Sequence, residues 1–376
     1  MEPVTHFLTG ACISRAGLNR KSAYATLAAV LAAEAADMDV VWSIRGPVES
    51  LKHHRGVTHT FLAAPVVAAV IVGLVALLHH WLDARRRRKL AAMNLEPGAP
   101  IPLRLQPRPV HWGWLYLAAL IAALSHLFLD WTNNYGLRPF FPFNPRWYGG
   151  SFVFIAEPLI WAMLLIALVL PWLLGLVAGE IGARRNPYRG QGWAIFALIA
   201  MVFLWSFRWA EHRQALALVD NAQVASEPVT RMAAEPYPVD PFRWHVILET
   251  PSFYQTAEVN TRTGEIVSDP RQDVLYKPVD DSAIEAAKQT DLGKVYLDWG
   301  TWAVVTDLGQ APAPGMTPPE LPPTRTWTTV EFTDLRFDYS FFGMRSANTR
   351  KPLTGWVYIV DNREDAGEDM DGRQQQ

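Results

Sequence analysis

The chain has 376 residues, room for two domains of ordinary size, and half of it is hydrophobic. Its net charge of −2 gives no electrostatic footing for nucleic-acid binding. Its single cysteine, Cys12, excludes an intramolecular disulfide and a cysteine-built zinc site. Mean hydropathy is only +0.04, because the apolar residues are gathered in the first 210 positions. The 16 tryptophans suit membrane–water boundaries. No cleavable signal peptide is expected, since a basic leader is missing and His6 interrupts the first apolar stretch.

Residues 5–16 and 23–36 read as short helices, each too short to cross about 30 Å of hydrocarbon. A hairpin dipping into the bilayer is the favoured reading, with two buried helices of a globular fold as the alternative. Arg15, Arg20 and Lys21 form a basic turn after the first. Then comes a stretch dense in functional groups, His53-His54-Arg55-Gly56-Val57-Thr58-His59-Thr60. Residues 61–82 are almost wholly apolar, long enough to span, and end in the basic block Arg85-Arg86-Arg87-Arg88-Lys89. A Pro-rich linker covers 97–109, and residues 112–131 make the next span, flanked by Trp112, Trp114 and Trp131. Residues 152–178 form a third strong span containing Glu157, followed by Arg184, Arg185 and Arg189, and 193–209 form a shorter last span.

Placing the 85–89 block in the cytoplasm puts Arg15, Arg20, Lys21, Arg184, Arg185 and Arg189 there too, as the positive-inside rule asks. His6, Asp37, Asp39, His54, His59, His126 and Asp130 then all fall on the opposite face. A topology read from arginine and lysine thus gathers the histidines and aspartates together.

Beyond residue 222 the composition becomes that of a soluble domain. Segments 243–249, 253–260, 295–299, 302–307, 327–332, 336–341 and 356–360 read as strands, with a hairpin loop closed by Gly264 and a short helix over 281–289. The expected fold is an α-helical polytopic membrane domain of about five to six helices over 1–215. A smaller, mainly β extracytoplasmic domain over 222–360 and a disordered tail over 361–376 complete it.

His126 and Asp130 stand four apart, so both side chains share one helical face and can reach one ion; the alternative is a helix-end histidine beside an interfacial aspartate. Divalent metals accept imidazole nitrogen and carboxylate oxygen together, and ionisable residues inside an apolar span usually have partners. Asp37 and Asp39 offer two carboxylates, one to bind metal and the other to bridge, orient a histidine or act as a base; otherwise they end a helix. His54 and His59 flank Gly56, which allows a tight backbone. Arg55 is available for a phosphate or carboxylate, or as an interfacial anchor. Thr58 and Thr60 can orient imidazoles, while His53 is expected to point away. Glu157 could bridge metals, pair with Arg55, or cap a helix. His79, His80, His111, His212 and His245 lack ligand-like company.

Thr5-His6, Asp37-x-Asp39, His54-Arg55-Gly56-x-Thr58-His59 and Ser125-His126-x-x-x-Asp130 with Tyr135-Gly136 form an ordered set over roughly the first 165 residues. The set resembles the membrane-bound metal-dependent hydrolases of the inner-membrane, LexA-regulated type, which in turn look distantly like zinc-dependent phospholipases C. That resemblance implies His6, Asp37, Asp39, His54, His59, His126 and Asp130 as the metal set. Thr60 stands where serine is usual, Ala35-Ala36 where Leu-Pro is commoner, and Glu157 where aspartate is typical.

The expected function is metal-dependent hydrolysis of a phosphoester or ester, lipid-linked or small, in a bacterial inner membrane. Asp37 or Asp39 serves as base and Arg55 holds substrate. The expected cofactor is a divalent metal, zinc first, with manganese or another divalent ion as alternatives. The bilayer and the substrate are the expected partners, and nucleic acid is not. The alternatives are a membrane transporter or metal-handling protein, and a non-catalytic membrane-anchored interaction protein.

Overall fold

Two alanine stripes build the centre of the helical domain in this computed structural model, which describes residues 1–93, 101–102, 105–106, 109–180, 190–279, 281–338, 352–370 and 373–374. Helix α2 (Ala25–Glu34) buries Ala25, Ala28, Ala29, Ala32 and Ala33. Helix α5 (Trp112–Thr132) buries Leu115, Ala118, Ala119, Ala122 and Ala123. Both follow the i, i+3, i+4 rhythm of a single helical face, and small side chains let the backbones come close. Helix α1 (Pro3–Arg15) packs against α2 through Gly10, where a Cβ would lie 2.9 Å from both the Ala29 carbonyl oxygen and the Ala33 Cβ. Helices α1 and α2 sit inside the bundle, in contact with α5.

Among the described residues, four helices are long and apolar enough to cross a membrane: α4 (Ala63–Ala92), α5, α6 (Pro158–Glu180) and α7 (Gln191–Ala222). On α4 the outward stripe is Val66, Val70, Leu74, Leu77 and Trp81, all exposed. Helix α4 runs through the Arg85–Lys89 block because arginine and lysine are good helix formers, and Asp83 pairs with Arg86 and Arg87 along it. Arg184, Arg185, Arg189 and most of the expected 97–109 linker lie outside the described residues.

Helix α7 continues past the expected end of its span into the β domain. Ala215 and Val219 share a core with Ala234, Trp244, Val246 and Val259 of the first antiparallel sheet. That sheet joins β1 (Arg231–Pro236), β2 (Arg243–Glu249), β3 (Phe253–Asn260) and β4 (Glu265–Val267) in order, with β5 (Val274–Tyr276) also on β3. The second sheet is a meander of β6 (Ala303–Asp307), β7 (Trp327–Asp334), β8 (Gly355–Val360), β9 (Glu364–Met370) and β10 (Arg373–Gln374). Helices α8 (Ser282–Lys288) and α9 (Asp291–Trp299) cover it, and its core includes Val48 and Leu51 of α3 (Pro47–His53) and Tyr135. The β domain grips the loop after α5: Trp299 Nε1 donates to the Tyr135 carbonyl at 3.3 Å and Arg336 donates to that of Asn134 at 2.7 Å.

Three expectations are corrected. Residues 295–299 are helical within α9: Thr290 caps the helix by accepting from the Gly293 N–H, and Leu292, Tyr296 and Trp299 lie on one buried face. Residues 335–337 form a 3-10 turn rather than a strand, and 339–341 lie outside the described residues. Part of the tail expected to be disordered is β9, whose backbone bonds to the buried strand β8; its Glu364 and Asp365 are exposed while Asp369 is buried.

Candidate metal centre

Asp37 stands on the 3-10 segment Ala35–Arg45 that follows α2, and His59 on the 3-10 turn Val57–His59 that leads into α4. His126 and Asp130 continue the buried stripe of α5. The fold brings one donor atom from each of these four to within 4.8 Å of every other. His59 Nε2 lies 3.0 Å from His126 Nε2, 3.2 Å from Asp37 Oδ1 and 3.3 Å from Asp130 Oδ2. His126 Nε2 lies 3.3 Å from Asp130 Oδ2 and 3.6 Å from Asp37 Oδ1.

The outer nitrogen of His126 fixes its tautomer. His126 Nδ1 sits 2.6 Å from the Ala33 carbonyl oxygen, which can only accept, so Nδ1 carries the proton and Nε2 a lone pair. His59 has carboxylate oxygens on both sides, Asp39 Oδ2 3.3 Å from Nδ1 and Asp37 Oδ1 3.2 Å from Nε2, so it can donate from either nitrogen, or from both when protonated. The His126 lone pair and His59 Nε2 meet 3.0 Å apart between two carboxylates. Such a point calls for positive charge, and without an ion a proton must supply it. Burial pushes the His59 imidazolium down, yet its contacts with Asp130, Asp37 and Asp39 lift it to about 10. Burial would likewise raise Asp37, but the hydrogen bond from His59 and the charges of His126 and His6 hold it at about 2. A two-nitrogen, two-oxygen donor set of this kind fits a divalent metal ion.

Around it lies a supporting layer. Asp39 accepts from the Arg55 backbone N–H at 2.8 Å and faces His54 Nδ1 at 3.1 Å as well as His59, so it orients both imidazoles. Burial would raise the Asp39 carboxyl, but the two histidines keep it below the usual carboxylate range. Thr58 Oγ1 lies 3.0 Å from His59 Nδ1. His6 stacks on His126 with ring centroids 3.7 Å apart, its Nε2 3.4 Å from Asp130 Oδ1 and 3.9 Å from Asp37 Oδ2. The Met1 amine also contacts Asp130.

The family model described as YdjM inner membrane protein matches residues 1–215. The chain belongs to the YdjM inner membrane protein family. It is also similar to a Bacillus subtilis (strain 168) protein described as "Uncharacterized protein YfhP", with 24% identity over 160 residues. That alignment covers 42% of this chain and 40% of the relative's length. No solved structure matches. The YdjM match contains every donor named above and stops before the β domain. With an inner-membrane family and four apolar helices, a multi-pass membrane protein fits.

Other members of the expected set fall elsewhere in this YdjM-family chain. Arg55 points inward rather than toward a ligand: it is buried, with its guanidinium 2.9 Å from Asp130 Oδ1, 2.9 Å from the Gly136 carbonyl oxygen and 3.2 Å from Asn133 Oδ1. It therefore holds Asp130 in place. His54 stands one layer out, part-exposed, on Asp39. His53 stacks on Trp42, away from the cluster. Thr60 does not face an imidazole; its hydroxyl accepts from the Ala63 N–H and so starts α4. Glu157 joins neither the cluster nor Arg55, because Arg208 of α7 takes it at 2.8 Å. The Ala33 carbonyl, Asn133 and the Tyr135 ring under Arg55 complete the surroundings. A main-chain carbonyl leaves no mark in a sequence, so the partner that fixes His126 had no signal to find.

Proposed function

We propose that this chain is a membrane-bound metal-dependent hydrolase acting on an ester or phosphoester at the non-cytoplasmic face. The observation that carries the reading is the close approach of His59 Nε2 and His126 Nε2, 3.0 Å apart, between the Asp37 and Asp130 carboxylates. A divalent metal held by Asp37, His59, His126 and Asp130 would polarise the substrate oxygen and make a nearby water more acidic. Asp37 is the one donor of the four that is part-exposed, at 20%, and its Oδ2 has no hydrogen-bond partner. The Asp37 carboxylate would take the proton from water as the ester bond breaks and pass it to the departing alkoxide, which leaves as the alcohol. His6 and Arg55 hold Asp130, and Asp39 holds His59, so that the donors keep their aim. The orientation is supported by α4, which starts beside the cluster and reaches the basic block at Arg85, read as cytoplasmic, roughly 33 Å farther along its axis. The donors gather at one end of the bundle, which favours interfacial hydrolysis over a transport path strung along the spans.

The test is metal analysis of the purified protein, with chelator-sensitive hydrolysis measured on chromogenic phosphodiesters and esters. His59→Ala and Asp130→Ala are expected to lose both metal and activity. Metal-loaded protein that cleaves none of these substrates would overturn the hydrolytic reading.

A further inference from the structure

A cavity of about 490 Å³ lies beside the cluster, between the Ala35–Arg45 segment with α3 on one side and the β domain on the other. Ser50 and His54 stand at its polar end, and His54 rests on Asp39, which in turn orients His59. Val40, Leu51, Leu353 and Met370 make the apolar wall. The last two belong to the β domain, which thereby closes one side of a cleft lined otherwise by the helical domain.

The mouth of this cleft is apolar on its outside as well. Met38, Val40, Val41 and Ile44 are all exposed, Ile44 to 83%, and Val40 both lines the cavity and faces outward. Val57, Phe61 and Leu62 are also exposed, and they run directly into the outward stripe of α4 that begins at Val66. An apolar rim continuous with a membrane-facing stripe belongs in lipid rather than water. Within the rim, the Arg45 guanidinium lies 4.9 Å from the centre of the Trp42 ring, a pairing suited to the headgroup level.

We infer that this cleft takes an amphiphile with an ester or phosphoester headgroup, drawn sideways from the bilayer leaflet. Its apolar part lies along Val40, Leu51, Leu353 and Met370, and its headgroup lies at His54 beside the donors. A substrate arriving from water would have to pass a rim immersed in lipid, whereas a lipid reaches Val40 by lateral diffusion. Which bond is cleaved rests on the hydrolytic reading; occupancy of the cleft does not.

The experiment is photolabelling of the full-length protein in vesicles of phosphatidylglycerol and phosphatidylcholine carrying a phospholipid with a photoreactive acyl chain. Adducts are expected in the segments 40–54 and 353–370, and are expected to be lost in Val40→Trp and Met370→Trp, which fill the cleft while leaving metal content unchanged. Adducts confined to outward stripes such as that of α4, and unchanged in both variants, would overturn the inference. So would equal competition by a short-chain, monomerically dissolved phospholipid, which would place the source in water. Cleft adducts without chelator-sensitive hydrolysis would keep the cleft and sink the hydrolase. Hydrolysis of a soluble phosphodiester without cleft adducts would do the reverse.

Discussion

Glu157 and Arg208 form a fully buried ion pair, 2.8 Å from Oε2 to the guanidinium, and both ends are tied to the β domain. Arg208 donates to the Tyr237 carbonyl at 3.1 Å, and Glu157 Oε1 accepts from the Val239 N–H at 3.1 Å. The pair is therefore a strut between α6, α7 and the strand region above them. Removing one partner strands the other charge, so Glu157→Ala is expected to cost about 3–5 kcal/mol. Glu157→Ala combined with Arg208→Met should cost less than the sum of the two single changes. Thermal unfolding in detergent measures both, and metal content at low temperature should not move. A melt unchanged by Glu157→Ala would remove the strut.

Metal affinity should grade with distance from the His59–His126 contact. His126→Ala removes a donor and is expected to abolish stoichiometric binding. Asp39→Asn removes the charge facing the outward nitrogens of His54 and His59 and disturbs the acceptor of the Arg55 N–H, and should weaken affinity by about 10–100-fold. His53→Ala, which disturbs a stack on Trp42, should leave affinity unaltered. Competitive titration with a chromogenic chelator ranks the three, and equal loss in all of them would contradict the layered arrangement.

Gly10 offers a test that touches no donor. An alanine there would press its Cβ on the Ala29 carbonyl oxygen and the Ala33 Cβ, both 2.9 Å away, and force α1 and α2 apart at an expected cost of about 1–3 kcal/mol. The Ala33 carbonyl also receives the His126 Nδ1 proton. Gly10→Ala should therefore weaken metal binding along with stability, and a variant that melts early but binds metal normally would uncouple the two.

The β domain carries its own pH dependence. Burial lifts the Glu235 carboxyl to about 8, against the opposing pull of Arg336 and with Asp334 adding to the rise. The folded state thus holds this proton more tightly than the unfolded chain. The associated stability is intact below the ordinary glutamate range, falls as pH climbs from there, and levels off above about 8. Unfolding followed from pH 5 to 9 should show a downward slope that Glu235→Gln flattens. An identical slope in the variant would assign the dependence elsewhere.

Much of the helical domain was legible because its signals are local. The His126–Asp130 spacing is a one-turn relation, and the alanine stripe that carries it inward has the same period. Long-range partners were not legible: nothing near Glu157 points to Arg208 on another helix. Of the roles open to Asp37 and Asp39, a 3-10 backbone gives Asp37 a place in the cluster and leaves Asp39 behind it, orienting histidines, a split that spacing alone does not assign. Arg55 was read by its charge as a substrate contact, but its backbone N–H and guanidinium are both used inside. In the β domain, the 295–299 segment misled because its large apolar residues suit a strand as well as a helix. The Thr290 cap decided the outcome.

The four donors come from three places in the chain, and the last two lie near the end of α5. A nascent chain that has inserted α4 alone carries Asp37 and His59 but neither of their partners. Any metal held by all four would then be captured only after α5 has been added, which would make an assembled centre a report that α4 and α5 have been threaded and packed.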